Sequence, residues 1–126
     1  MTDTAMKQWQ AHSFSSGSCA GEDYIAFQKA MRTDLNKQLK SAGLTLKQFS
    51  KNHYCFSAVV TDGERFAYIS VSDVRGNRRI FSEVLYRTMA HEKDWRGGDN
   101  RYCAWNDVGA TCRELLAQEA LRDERS

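Results

Sequence analysis

The sequence predicts an α+β protein, a two-layer sandwich. An antiparallel sheet of three to four strands is flanked in chain order by an N-terminal and a C-terminal helix. Three observations lead there. Tyr24, Phe27, Met31, Leu35 and Leu39 recur at spacings of three and four, an apolar helix stripe. Asp62-Gly63 separates two runs of aromatic and β-branched residues, the pattern of a hairpin. Val108, Cys112, Leu115 and Leu116 repeat the helical spacing near the end.

Residues 1–21 read as a weakly ordered tail, because SFSSGSCAG is small and polar, although Trp9 and Phe14 could dock locally. Residues 22–122 form the single domain, and 123–126 a short C-terminal tail. The first helix covers 22–42. Glu22 and Asp23 suit its positive end, Lys37 and Lys40 suit the other, and Gly43 terminates it.

Residues 44–51, LTLKQFSK, are ambiguous: Leu44 and Leu46 alternate as in a strand, and Phe49 breaks the alternation. AGLTLKQFS also has the look of a repressor-type helix-turn-helix, which requires a second, base-reading helix to follow. The next segment, YCFSAVVT, favours strand instead. A short strand or turn leading into the sheet is the simpler reading.

A two-residue turn at Asp62-Gly63 pairs Val60 with Arg65, Ala58 with Ala67, Phe56 with Ile69 and Tyr54 with Val71. The opposite face then pairs Val59 with Phe66, Ser57 with Tyr68 and Cys55 with Ser70. The first set is apolar nearly throughout, so it faces the first helix. Asp73 continues the parity of Ala67, Ile69 and Val71 and leaves the strand on the buried side. There it needs a partner such as Arg75 or Arg87, or it caps a turn.

Residues 80–89, IFSEVLYRTM, are apolar on both faces, and Ile80, Val84, Tyr86 and Thr88 tilt the choice from helix to strand. The closing helix covers 106–122, with Asn106 as its cap and Asp107 in its first turn. Helix, strands, helix is also the order of double-stranded-RNA-binding domains. The basic helix start those domains use is replaced here by Asn106-Asp107.

Composition narrows the function classes. A chain of 126 residues with 41% hydrophobic and 27% charged residues is expected to be one soluble domain. No apolar run approaches the roughly 18–20 residues that span a bilayer. The start, MTDTAMKQWQ, lacks a basic stretch followed by an apolar one, so the expected location is the cytoplasm of the cell that makes or hosts the protein. A net charge of +2 is too small to imply nucleic acid by itself. Cys19, Cys55, Cys103 and Cys112 form no C-x-x-C and stand at no finger-like spacing from a histidine, so the reading is reduced thiols and no metal. No cofactor fingerprint is present either.

The best candidate site is the loop Glu92-Lys93-Asp94-Trp95-Arg96-Gly97-Gly98-Asp99-Asn100. Its glycines allow close backbone approach, Trp95 offers a stacking face and Arg96 a forked donor. The same residues also suit a tight connection between a strand and the last helix. Arg75, Arg78 and Arg79 lie in the link between two strands, where they are solvated or touch phosphates. His91 near Asp94 could act as a general base, with Asp73 a further acid–base candidate. Ser72, Thr88 and Cys103 are unspecific nucleophile candidates, and no catalytic motif accompanies them.

Ser72-Asp73-Val74-Arg75, then Tyr86-Arg87-Thr88, then Asp94-Trp95-Arg96-Gly97-Gly98-Asp99-Asn100 resembles a pattern in small uncharacterised proteins of phages and mobile elements. The likeness covers roughly residues 53–102. This chain departs from it at Met89, where a small residue is more usual, and at Asp99, where Ser is. The resemblance implies an origin, and by analogy an anti-defence, anti-CRISPR-like role. The expected function is therefore a non-enzymatic protein that inhibits or modulates a host protein or protein–nucleic-acid complex. Its contact residues are Trp95, Arg96, Asn100, Arg75, Arg78 and Arg79, with no catalytic residues. The alternative is a nucleic-acid or nucleotide phosphate-binding module built on the same arginines. A small enzyme using Asp73, His91 or Asp94 is the third reading.

Overall fold

The structure, a computed structural model, describes residues 7–9, 21–50, 56–71, 84–89, 91 and 99–125. Its elements are α1 (Glu22–Ser41), β1 (Thr45–Ser50), β2 (Phe56–Thr61), β3 (Phe66–Val71), β4 (Val84–Met89), β5 (Arg101–Cys103), a 3₁₀ turn (Trp105–Asp107) and α2 (Val108–Arg125). The fold is α+β, with an N-terminal helix, an antiparallel sheet and a C-terminal helix. The sheet is a meander in the order β1-β2-β3-β4-β5. Among the described residues it holds five strands, not three to four; the strand beyond the expected set is β5, only three residues long. A segment that short shows no periodicity in a sequence. Five strands also separate the chain from the helix–three strands–helix order of double-stranded-RNA-binding domains.

Helix α1 buries the predicted stripe and ends as the sequence predicts. Gly43 adopts φ +75°. The Leu44 N–H donates to the Leu39 carbonyl at 2.8 Å, and the Gly43 N–H to the Lys40 carbonyl at 3.2 Å. Leu39 and Leu44 are both buried in the core, which completes a Schellman stop.

β1 resolves the ambiguity at 44–51 in favour of strand. Leu46 pairs with Val60, and then Gln48 pairs with Val59, so Lys47 is an extra residue. This bulge restores the inward direction for Phe49, which would otherwise point away from the core. Phe49 stacks on Phe56 with centroids 5.1 Å apart. Phe56 also meets Phe27 at 6.1 Å and Trp105 at 5.8 Å, the latter edge to face. Full burial of Phe56 stabilises the fold by roughly 2–3 kcal/mol.

The hairpin has the predicted faces and a different register. Phe56 pairs with Val71, Ala58 with Ile69, Val60 with Ala67 and Thr61 with Phe66. The two-residue turn is therefore replaced by a four-residue loop, Asp62–Arg65. The cause is local hydrogen bonding. Asp62 Oδ1 accepts the N–H groups of Glu64 (2.9 Å) and Arg65 (2.7 Å), and Thr61 Oγ1 donates to the Arg65 carbonyl at 2.7 Å. These bonds close the wider loop with Gly63 at φ +105°. The shift is two residues, so no side chain changes face.

Phe56, Ala58, Val60, Ala67, Ile69 and Val71 lie in the main core with residues of α1 and α2. The opposite face is buried as well. Val59, Tyr68 and Met89 form a second cluster with Phe66 and Leu85, and among the described residues only strands contribute to it. Arg87 is buried on this face, with its guanidinium carbon 4.8 Å from the Tyr68 centroid. Trp9 is buried and packs on Tyr24 at 5.1 Å.

The closing helix starts differently from expectation. Asn106 lies inside the 3₁₀ turn Trp105–Asp107 rather than at a cap, and α2 runs on through Arg125. Val108, Cys112, Leu115 and Leu116 make its inward stripe, as the spacing predicts.

Candidate functional site

Of the predicted contact residues, Asn100 is described, and it is exposed. Trp95, Arg96, Arg75, Arg78 and Arg79 lie outside the described residues, as do Asp73, Asp94 and Ser72. Asn100 leads directly into β5, which makes the β4–β5 end of the sheet the described part of the candidate site.

β5 is an edge strand paired to β4 through Val84–Cys103, Leu85–Tyr102 and Tyr86–Arg101. Alternation sends Tyr102 to the face opposite Arg101 and Cys103. Tyr102 is 60% exposed. Its cross-strand neighbour Leu85 packs on the second cluster, so the exposed ring stands on a fixed base. Among the described residues no strand pairs with the outward side of β5, and an edge of that kind offers its N–H and C=O groups for pairing.

On the other side of β5, Arg101 lines a polar cavity of about 230 Å³ with Thr88, Asp99, Leu115, Glu119 and Arg122. Arg122 pairs with Glu119 at 3.2 Å, a solvent-exposed contact worth at most about 1 kcal/mol. The cavity holds two guanidinium groups and two carboxylates. That balance does not select an anion, which weakens phosphate binding at this place.

The nucleophile and acid–base candidates fare differently. Thr88 is half-buried at the cavity wall and His91 is exposed. Cys103 is half-buried, and burial raises its thiol above the usual value despite a hydrogen bond with the Thr111 side chain. It is a thiol at neutral pH rather than an activated thiolate. Among the described residues no group of three or more His, Cys, Asp or Glu converges to hold a metal, and no helix is long and apolar enough to cross a membrane.

Tyr102 and Arg101 were not among the sequence-predicted contacts. The only sign of them was their position directly after the Gly-Gly loop. A four-residue clasp at the helix junction was equally hidden. Gln38 Nε2 donates to the Trp105 carbonyl at 2.9 Å and to Asp34 Oδ2 at 3.2 Å, while the Gly109 N–H donates to Gln38 Oε1 at 2.9 Å. Gly109 was its one legible sign, since a glycine inside a helix often marks a close approach. No protein-family model, no curated protein and no solved structure matches this chain.

Proposed function

We propose that this protein is a non-enzymatic binding module that docks on a partner protein through the β5 edge and the Trp95–Asn100 segment leading into it. The observation that carries the reading is Tyr102, 60% exposed on an edge strand, with exposed Arg101 and Asn100 beside it in sequence. Tyr and Arg are the residue types that dominate binding energy in protein interfaces, and a rigid ring loses little entropy on docking. The likeness of the adjoining loop to phage and mobile-element proteins makes the partner a host protein or protein–nucleic-acid complex, which this chain inhibits or modulates in an anti-CRISPR-like manner. Trp95, Arg96, Arg75, Arg78 and Arg79 complete the contact set on the sequence argument.

The test is affinity capture from bacterial host lysate with the wild type and a Tyr102→Ala/Arg101→Ala variant, after thermal melts show both are equally folded. The wild type should retain a partner that the variant loses. Equal recovery of that partner by both would remove the β5 edge from the site. Retardation of labelled RNA or DNA at low salt, lost steeply as salt rises, would favour the phosphate-binding alternative.

A further inference from the structure

The two helices leave an open groove between them. It has a volume of about 630 Å³ and is lined by Lys37, Gln38, Ser41 and Ala42 of α1 and its cap, and by Asn106, Ala110, Arg113, Glu114 and Ala117 at the start of α2. At one end the helices touch. A Cβ on Gly109 would lie 2.8 Å from the Gln38 carbonyl oxygen, and the Gln38 clasp pins that contact. The groove continues from this pinned end along α2. From Asn106 to Ala117 the wall is on the order of 16 Å long, roughly three helical turns.

Three features describe what fits. First, the floor is made of small side chains, Ser41, Ala42, Ala110 and Ala117, which let another backbone come close. Second, most lining residues are exposed, so a small molecule would stay largely hydrated there, whereas a helix covers the whole length. Third, the rims carry cations on both sides, Lys37 on α1 and Arg113 on α2. Among the described residues neither has an ionic partner, and against the one rim carboxylate, Glu114, the two cations leave the rims net positive.

The geometry points to this groove as a second docking site, independent of the β5 edge, for an amphipathic helix of a partner protein with carboxylates flanking its apolar seam. The occupant adds a third helix to the helical layer. Its seam lies on the small-residue floor and its carboxylates meet Lys37 and Arg113. The clasp holds both walls in place before binding, which lowers the ordering cost.

Two fluorescent helical peptides of about 14 residues test the proposal. Both carry the same leucine seam, one with glutamates on either side of it and one with lysines. Binding to the full chain is read by anisotropy and mapped by amide chemical shifts. The glutamate peptide should bind at least about tenfold tighter than the lysine peptide. Its shifts should centre on Ser41, Ala110, Arg113 and Ala117. A Lys37→Glu/Arg113→Glu variant, both positions exposed, should reverse the preference, and Ala117→Trp should block both peptides. Equal binding of the two peptides, binding of neither, or shifts centred on Asn100–Tyr102 would overturn the proposal. A dimer of the unliganded protein that protects the same residues would also overturn it, since a second copy would then be the occupant.

Discussion

The indole Nε1 of Trp105 donates to Asp34 Oδ2 at 2.6 Å, joining side chains 71 positions apart in the chain. The same Trp105 ring packs edge-on against Phe56. One residue therefore ties the first helix, the sheet and the start of the closing helix together. Trp105→Phe keeps most of the packing and removes the shorter of two hydrogen bonds to Asp34 Oδ2, leaving the one from Gln38 Nε2 at 3.2 Å. It should lower stability by about 1–3 kcal/mol in urea unfolding. In an Asp34→Ala background the same change should cost distinctly less, by more than about 0.5 kcal/mol, because the bond is already gone. Additive losses would show that the bond contributes nothing.

Gly109 offers a test in which the usual sign reverses. Gly→Ala inside a helix ordinarily stabilises by about 1 kcal/mol. Here the added Cβ would sit 2.8 Å from backbone oxygen and 2.9 Å from Gln38 Cβ. Gly109→Ala should therefore destabilise by roughly 1–3 kcal/mol. At the neighbouring exposed position, Ala110→Gly should show only the ordinary propensity loss of about 1 kcal/mol. A Gly109→Ala protein more stable than wild type in urea unfolding would contradict the close helix contact.

Asp62 gives a pH signature to the hairpin. Partial burial pushes its carboxyl up, but the N–H bonds from Arg65 and Glu64 and the Arg65 charge outweigh that and hold it below the usual 3.8. A carboxyl lowered on folding contributes stability above its unfolded value and loses it as pH falls through the folded value. The group is exposed, so the effect is a fraction of a kcal/mol, on the order of a few tenths. Asp62→Asn keeps an acceptor for the loop and removes the titration. Unfolding measured from neutral pH down to below pH 3 should show a slightly steeper acid loss in the wild type than in this variant.

Cys112 has the opposite behaviour at high pH. Burial, with a further push from the Cys103 sulfur, raises its thiol to about 12. A thiol that keeps its proton only when folded favours the folded state below the unfolded value near 9.0, and that contribution is lost as pH rises through the folded value. Cys112→Ala should flatten the alkaline fall in stability relative to wild type. Native-state alkylation read by mass spectrometry should leave Cys112 unmodified well after half-buried Cys103 has reacted. Rapid labelling of Cys112 would show that the helix opens far more readily than its burial implies.

The sequence carried the elements and their faces because these are periodic. The stripe from Tyr24 to Leu39, the alternation around Asp62-Gly63 and the Val108–Leu116 stripe each repeat over enough residues to separate a helix from a strand. Phe49 looked like a fault in an otherwise alternating strand and proved to be the trace of the Lys47 bulge. The candidate contact site was less legible. Asn100 could be named from the loop pattern, but the exposure of Tyr102 depends on β5 pairing with β4 at the sheet edge, which three residues cannot announce.

What the residues determined alone was local and repetitive: two amphipathic helices, antiparallel strands, the Gly43 stop and the parity that turns Phe56 and Ile69 inward. The tertiary structure decided the rest. It set the four-residue width of the Asp62–Arg65 loop, the fifth strand, the burial of the second sheet face and the clasp of Asp34, Gln38, Trp105 and Gly109. The physical reason is sequence separation. A hydrogen bond between positions 71 residues apart, or a glycine required by another helix's backbone, leaves no period along the chain, so it emerges only once packing has brought the partners together.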